Sequence, residues 1–184
     1  GGGPGGMFAA LTAAGSGKHC IILEQNEQLG RKLRITGKGR CNLTNNCDRE
    51  TLLANIPGNG KFLYSAFSRC MPQDVMAYFE SLGVPLKTER GNRVFPVSDR
   101  AEDIVQALQK AIRRAGIPVI RGEAAHLILE DNRCCGIRTT DGREFRAGTT
   151  LLATGGVSYP KTGSTGTGYQ LAEEAGHSIV PPMP

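Results

Sequence analysis

The sequence predicts an α/β fold in which a parallel sheet carries a separate three-stranded β-meander. Three observations lead to this fold class. A glycine-rich turn at residues 1–6 runs into a helical segment, and a short apolar strand follows at 19–23. A second short apolar strand is predicted at 117–120. Later strand segments joined by tight turns then indicate the meander.

The first glycines have the spacing Gly1-x-Gly3-x-x-Gly6 of a phosphate-binding turn. Taken alone, such a run could also be a flexible linker. The following residues favour a nucleotide-binding fold, because small helix formers occupy 6–14 and the next strand ends at Glu24. The three glycines would allow a tight turn, close approach to a pyrophosphate, and close packing of helix on sheet. A carboxylate at position 24 is expected to bind ribose hydroxyls and to disfavour the 2′-phosphate of NADP.

The size and composition fit one globular core. The chain has 184 residues, and no apolar stretch approaches the roughly 20 residues that span a bilayer, so we expect no membrane partner. The six cysteines show no Cys-x-x-Cys spacing, which favours reduced thiols and a cytoplasmic location. The histidines are scattered at His19, His126 and His177, so we expect no metal site.

The net charge of +5 is concentrated in one loop. Residues 31–40 hold five basic side chains and no acidic one, whereas the rest of the chain balances 17 basic against 17 acidic residues. Such a cluster could bind nucleic acid, form a solvated basic face, or line a site for one concentrated anion. Because no aromatic residue for base stacking lies within it, we expect a local phosphate and no nucleic-acid partner.

The middle of the chain is predicted to be a helical insertion at about residues 50–97. Helices are predicted at 62–69 and 72–82, and their aromatic side chains are assigned to the core. A longer helix follows and ends at Gly116. Its apolar stripe consists of Ile104, Val105, Leu108, Ala111 and Ile112.

The second half is predicted to be mainly extended. The three meander strands are assigned to 125–130, 134–139 and 144–147. Asp141-Gly142 is a strong hairpin signal between the last two. A final strand is predicted at 149–153 and a short helix at 169–175. Residues 1–180 are therefore assigned to one domain, and the proline-rich residues 181–184 to a linker toward a further substrate domain.

The order of these elements resembles the FAD domain of glutathione-reductase-like flavoproteins. The glycine turn, the strand ending in Glu24, the meander and a second strand ending in Ala153-Thr154-Gly155 follow one another as they do there. The resemblance implies a Rossmann-like FAD-binding domain, truncated so that its first strand is missing before Gly1. The Ala153-Thr154-Gly155 turn resembles the second flavin-contacting loop, where small residues let the backbone approach the cofactor.

Longer motifs resemble one bacterial family more closely. They are Gly30-Arg31-Lys32-Leu33, the run from Gly39 to Asn45, and the run from Ala153 to Gly166. They are similar to the NAD(P)/FAD-dependent oxidoreductases of the BaiN/YhiN type, which include aminoacetone oxidases and 3-dehydro-bile-acid reductases. Thr167 stands where this family leads us to expect an acidic residue. Its members have roughly 400 residues, so we expect an N-terminal portion here.

The resemblance implies contacts with each part of FAD. The pyrophosphate would be held by Gly1, Gly3, Pro4 and Gly6. The adenosine would lie near Glu24 at its ribose, Ala125 at its adenine, and Arg31 and Lys32 toward its phosphates. The flavin ring would lie toward Arg40, Cys41, Asn42, Ala153, Thr154 and Gly155. Cys41 is expected to be a small packed residue, because no second cysteine forms a redox pair with it in sequence.

The expected function is therefore that of a flavin-dependent oxidoreductase acting on a small organic substrate, with NADH or NADPH as a possible reductant. The catalytic residues are not identifiable from the sequence, and we expect the isolated 184 residues to bind FAD weakly and to be inactive. An RNA-binding or RNA-modifying protein that uses the basic loop is one alternative. A simple NAD-dependent dehydrogenase is another, although the meander argues against it.

Overall fold

A computed structural model describes residues 1–182, which form two compact units. The first unit consists of Gly1–Lys32 and the described residues from Gln109 onward, and the second is Leu33–Leu108. The second unit includes the insertion expected at about 50–97 and extends beyond it on both sides. Of the expected linker at 181–184, the last two residues lie outside the described part of the chain.

The described residues form α-helices, short 3-10 helices and β-strands. The α-helices are α1 (Pro4–Gly15), α2 (Arg49–Ala54), α3 (Tyr64–Phe67), α4 (Pro72–Ser81), α5 (Ala101–Arg114) and α6 (Thr167–Glu174). The 3-10 segments are Leu33–Gly39, which is interrupted by non-helical backbone at residues 36–38, Gly60–Leu63 and Pro160–Thr162. The strands are β1 (Ile22–Glu24), β2 (Thr44–Asn45), β3 (Leu86–Glu89), β4 (Arg93–Pro96), β5 (Val119–Arg121), β6 (Ala124–Glu130), β7 (Arg133–Thr139) and β8 (Glu144–Arg146).

The first unit contains the parallel strand pair β1–β5, which confirms the predicted parallel pairing. Ile22 lies opposite Val119, and Glu24 lies opposite Arg121. The Gly122 N–H donates to the Glu24 carbonyl at 3.0 Å and continues the ladder beyond the strands. Helix α1 contacts β1, and its small residues allow this close approach.

The strand predicted at 149–153 does not form. These residues have no regular secondary structure, and Leu151 is exposed. A strand requires a neighbouring strand that accepts and donates its ladder hydrogen bonds, and no described residue pairs with this segment in that way. The apolar pattern was therefore not sufficient to make a strand.

The meander forms as predicted, with strand order β6-β7-β8 and antiparallel pairing throughout. The first hairpin turns at Asp131 and Asn132, whose φ angles of 48° and 58° suit a tight two-residue turn. The second turns at Asp141-Gly142. There, Arg143 and Thr139 donate hydrogen bonds to the Asp141 carboxylate and hold its pKa well below the usual range.

The centre of the meander depends on Gly136, where β7 lies against β8. Its φ of 144° suits glycine, and a Cβ there would overlap the carbonyl oxygen of Phe145. Gly136→Ala is therefore expected to lower the free energy of unfolding by about 1–3 kcal/mol, the usual cost of forcing extra atoms into a packed site. The measurement is urea denaturation followed by circular dichroism. Gly148→Ala, at a glycine with open space around it, is the control. Equal stabilities of the two variants would contradict the requirement for glycine at position 136.

The second unit contains an antiparallel sheet with strand order β2-β4-β3, which the sequence analysis did not predict. The central strand β4 contributes the buried residues Val94, Phe95 and Pro96. Its neighbours β2 and β3 are short and largely polar. Without an apolar alternation, their sequences carry little strand signal.

The predicted helices differ in how well they agree with the structure. Four residues of the α5 stripe are buried as expected, and Ala111 is half-buried. The helix predicted at 62–69 is instead the 3-10 helix Gly60–Leu63 followed by α3. The assignment of its aromatic residues to the core is wrong for Phe62 and Tyr64, since Phe62 is 79% exposed and Tyr64 is also exposed. Phe79 of α4 is buried, as predicted.

Candidate nucleotide-binding site

A cavity of about 360 Å³ opens at the start of α1 and is lined only by residues of the first unit. Its walls come from the glycine turn, the loop after β1, the start of β6 and two later segments, 151–155 and 162–171. The residues that the sequence predicted here and that the structure brings together are Gly1, Gly3, Pro4, Glu24, Arg31, Lys32, Ala153, Thr154 and Gly155.

The glycine turn places the start of α1 against this cavity. Gly3 is the N-cap residue, and no side chain caps the helix. The first N–H groups of an α-helix lack partners within the helix, so they are available to an acceptor in the cavity. A Cβ on Gly3 would meet no protein atom within 4 Å, whereas a Cβ on Gly6 would overlap the Gly1 carbonyl oxygen. Gly3 is thus open to a ligand, and Gly6 is required for internal packing.

Glu24 braces the glycine turn. Its side chain is 8% exposed, and one carboxylate oxygen accepts a 2.5 Å hydrogen bond from the Gly2 N–H. The other oxygen accepts from the Asn26 N–H at 2.8 Å and from Asn26 Nδ2 at 2.7 Å. A carboxylate can accept about four hydrogen bonds, so capacity for a ligand hydroxyl remains. The carboxylate holds the turn and also lines the cavity.

Side chains after β1 hold a second loop beside the cavity. Gln25 Nε2 donates to the Gly163 carbonyl at 2.9 Å. Lys32 Nζ donates to the Ser158 carbonyl at 3.0 Å and to its hydroxyl at 2.6 Å. Arg31 donates to the Asn26 side-chain oxygen at 3.0 Å. Arg31 and Lys32 therefore bring positive charge to the cavity while they fix its walls.

The Ala153-Thr154-Gly155 turn fits closely between its neighbours. A Cβ on Gly1 would overlap the Ala153 carbonyl oxygen, and a Cβ on Gly155 would lie 2.9 Å from the Ser164 hydroxyl. Gly155 has a φ of 81°, which favours glycine. The small residues predicted from the sequence are therefore needed here for internal packing.

The remaining predicted residues do not line this cavity. Ala125 belongs to β6, but the lining residue of that strand is Ala124. Gly6 packs beneath the turn. Arg40, Cys41 and Asn42 belong to the second unit. Cys41 is fully buried, and its burial raises the pKa of the thiol, which agrees with a packed residue and not with a reactive thiolate.

Arg40 belongs to an ion-pair network in the second unit. Its guanidinium donates to Glu89 at 2.5 Å and to Asp99 at 2.8 Å, and it stacks on the Phe95 ring at 4.1 Å. Lys87 also donates to Asp99, at 2.7 Å. Hydrogen bonds from Arg40 and Lys87 lower the pKa values of both carboxyl groups.

This network predicts a pH dependence of stability. Carboxyl groups with a lowered pKa in the folded state stabilise the protein above their ordinary pKa, and that contribution is lost as the pH falls below about 4. The double variant Glu89→Gln/Asp99→Asn should therefore lose stability less steeply than wild type when acidified. The measurement is the free energy of unfolding between pH 7 and pH 3, with exposed Glu80→Gln as the control. Parallel pH profiles for wild type and the double variant would contradict this role.

Sequence reasoning missed several residues of the site. Gln25 and Asn26 hold the turn and the adjoining loop, and Thr162, Gly163 and Ser164 form one wall of the cavity. The glycines and hydroxyl residues at 162–167 were a visible signal. Nothing local in the sequence indicated that this segment lies beside the glycine turn.

Comparison with known families agrees with this geometry. The family model described as the HI0933-like protein Rossmann domain matches residues 1–183. The chain belongs to this family. Its Rossmann-like fold class, predicted from the sequence, is thereby confirmed.

Three relatives show the extent of the similarity. The 3-dehydro-bile acid delta(4,6)-reductase of Clostridium scindens is 34% identical over 187 residues, which cover 100% of this chain and 44% of that protein. The ribosomal RNA dihydrouridine synthase of Haemophilus influenzae is 28% identical over 186 residues, covering 99% of this chain and 45% of that protein. The chain thus spans less than half the length of these relatives. The crystal structure of Thermovibrio ammonificans THI4 matches with a TM-score of 0.59 and 18% identity, over 84% of this HI0933-like chain and 55% of that chain.

Among residues 1–182, no group of three or more His, Cys, Asp or Glu side chains is arranged to hold a metal ion. No helix within the same residues has the length and apolar character required to cross a membrane.

Proposed function

We propose that the first unit binds FAD and serves a flavin-dependent oxidoreductase. The observation that carries this proposal is the open face of Gly3 at the uncapped start of α1, directed into a cavity with Glu24 on its wall. Free N–H groups and the helix dipole at such a position stabilise the negative charge of a pyrophosphate. The start of α1 therefore suits a ligand that carries a pyrophosphate.

The residues present fit the nucleotide part of FAD. A volume of about 360 Å³ lies within the range of small-molecule sites. Glu24 offers the remaining acceptor capacity of its carboxylate to ribose hydroxyls, and Arg31 and Lys32 add positive charge for phosphates. The glycine turn leaves room for close backbone approach at Gly3.

The chain's own residues bind and orient in this proposal. The start of α1 holds the pyrophosphate, and Glu24 keeps the turn in place through its bond to the Gly2 N–H. The walls held by Gln25 and Lys32 limit the space around the ligand. FAD, when bound, supplies the hydride and electron transfer.

The activity of the whole protein is also part of the proposal. The Clostridium scindens relative is named as a reductase, which supports hydride transfer to or from a small organic substrate, with NADH or NADPH as the reductant. The six cysteines are free thiols, which suits the reducing cytoplasm. We expect the isolated 184 residues to bind FAD weakly and to show no turnover.

The test is the visible absorption spectrum of the complete protein that carries this chain. The expected result is a flavin spectrum that bleaches when NADH or NADPH is added without oxygen. A flavin spectrum that bleaches with neither NADH nor NADPH would exclude both nucleotides as the reductant. A colourless protein that takes up no FAD would overturn the proposal itself.

RNA is the second candidate substrate, since two relatives are named ribosomal RNA dihydrouridine synthases. In the second unit, the exposed rings of Phe62 and Tyr64 lie in a segment that also contains Lys61, and the Arg49 guanidinium lies 5.4 Å from the Tyr64 ring. Exposed rings beside cations suit base stacking. Salt-sensitive RNA retention that Phe62→Ala abolishes would favour this candidate, and retention unaffected by the variant would count against it.

A further inference from the structure

Arg49 is a half-buried cation without a counter-charge. It is the first residue of α2, and its buried Nε has no hydrogen-bond partner. No described carboxylate forms an ion pair with it, whereas Arg34 and Arg40 of the same unit are both paired. Burying a cation costs free energy unless it is paired, so this side chain is suited to an anionic ligand.

Neighbouring groups hold the Arg49 guanidinium in place without neutralising it. Its Cζ lies 5.4 Å from the centre of the Tyr64 ring, within the range of a cation–π interaction. The Asp48 carboxylate instead accepts from the Thr51 N–H at 2.8 Å and caps α2, and the Glu50 side chain is exposed. The terminal nitrogens of Arg49 are not buried and remain available. An arginine in this state can bind a phosphate with two parallel hydrogen bonds.

Phe62 presents an exposed ring on a segment that packs against α2. The residue is 79% exposed, and the 3-10 helix Gly60–Leu63 contacts both α2 and α3. A Cβ on Gly60 would lie 2.9 Å from the Leu53 carbonyl oxygen, so this segment approaches α2 closely because residue 60 is glycine. The ring is therefore held on the same group of helices as Arg49. An aromatic ring held in solvent is a surface on which a nucleic-acid base stacks.

The chemistry of this surface matches that of an unpaired nucleotide. Lys61, directly before Phe62, is exposed and has no described ion-pair partner, so it adds a second cation for phosphate. In a duplex, neighbouring base pairs cover both faces of each base, and only an unpaired base can reach the Phe62 ring. The surface is open, and a strand gains affinity there from several successive contacts.

We propose that Arg49 binds a phosphate and that Phe62 stacks the adjoining base of an unpaired RNA strand. Tyr64 orients the guanidinium, and Lys61 contacts a further phosphate. This inference rests on the RNA candidate of the proposed function. It adds the residue that holds the RNA backbone and the requirement that the strand be unpaired. All four residues belong to the second unit, so the site is separate from the nucleotide cavity of the first.

The test is fluorescence anisotropy of a short labelled single-stranded oligoribonucleotide, titrated with the FAD-saturated complete protein at several salt concentrations. Arg49→Ala should lower the affinity about tenfold and reduce the slope of log affinity against log salt by about 0.7, since one phosphate contact is lost. Arg49→Lys keeps the charge and should therefore restore the slope, although it loses the forked contact. Phe62→Ala should lower the affinity about tenfold with an unchanged slope, because stacking releases no counterions.

Further variants and a second RNA control for charge and folding. Arg113→Ala, which removes an exposed arginine from the last turn of α5, is the matched control and should bind as wild type does. Lys61→Ala, at an exposed position, should also reduce the salt slope by about 0.7 and gives a second measurement if Arg49→Ala fails to fold. An RNA duplex of the same sequence should bind more weakly than the single strand. Thermal unfolding checks that each variant folds.

The contrary outcomes can be told apart. An unchanged salt slope in folded Arg49→Ala would overturn the phosphate contact, and a duplex that binds as tightly as the single strand would overturn stacking on Phe62. Displacement of the oligonucleotide by NADPH would make a small nucleotide the occupant and would also overturn the inference. A wild-type protein that binds no RNA overturns the inference and the RNA candidate together, whereas the visible spectrum decides the flavin proposal independently.

Discussion

Replacing Gly3 by valine is expected to lower the affinity for FAD at least tenfold, equivalent to about 1.4 kcal/mol, with little effect on stability. Gly3 has φ −74° and ψ 179°, which any residue adopts, and a Cβ there would meet no protein atom within 4 Å. The added side chain would instead occupy the space that the pyrophosphate needs. The effect should therefore appear in ligand binding and not in folding.

The measurement is FAD titration of the flavin-free complete protein, together with its thermal unfolding. Gly15→Val is the matched control, because Gly15 also has open space but lies at the other end of α1. Control and wild type should bind FAD equally. If Gly3→Val retained full affinity, the glycine turn would not be the pyrophosphate site.

Replacing Glu24 by alanine is expected to reduce both stability and FAD binding. The change removes the acceptor for the Gly2 N–H, the Asn26 N–H and the Asn26 side-chain amide. The Gly2 N–H is buried, and an unsatisfied buried group costs about 1–3 kcal/mol, so a loss of stability of that order is expected. FAD affinity should fall as well, because the released turn no longer presents its N–H groups in fixed positions.

Urea denaturation and FAD titration measure the two effects. Glu27→Ala is the control, since Glu27 is an exposed carboxylate of the same loop that pairs only with Arg121 among the described residues, at 3.1 Å. Exposed pairs contribute about 0–1 kcal/mol, so this variant should stay close to wild type. Equal stability of the two variants would show that Glu24 does not brace the turn. The stability of Glu24→Gln, which keeps one side-chain oxygen, should lie between those of Glu24→Ala and Glu27→Ala.

Local patterns predicted most of the first unit. The glycine turn, the two parallel strands and the meander with its Asp141-Gly142 turn are present in the structure, because backbone preferences and short-range alternation determine each of them. The strand expected at 149–153 shows the limit of this reasoning. Leu151, Leu152 and Ala153 are apolar, but a strand also needs a hydrogen-bonded neighbour.

The candidate site was predicted only in part, because local patterns indicate some of its residues and contacts between distant segments decide the others. Gly1, Gly3 and Glu24 lie within one local βα-type pattern and were found at the cavity. Gln25 and Ser164 were not predicted, since their roles depend on contacts across the whole first unit: Gln25 bonds to Gly163, 138 positions away. Such contacts leave no periodic or local signal in a single sequence.

By itself, the sequence determined the glycine turn, the β-meander and its hairpin at Asp141-Gly142, because neighbouring residues control these features. Only the tertiary structure decided which charges are free. Five basic residues at 31–40 suggested one anion site, but Arg40 pairs with Glu89 and Asp99, which lie 49 and 59 positions away, and Arg34 pairs with Glu102. The physical reason is that an ion pair depends on distance in space, and folding sets that distance independently of separation along the chain.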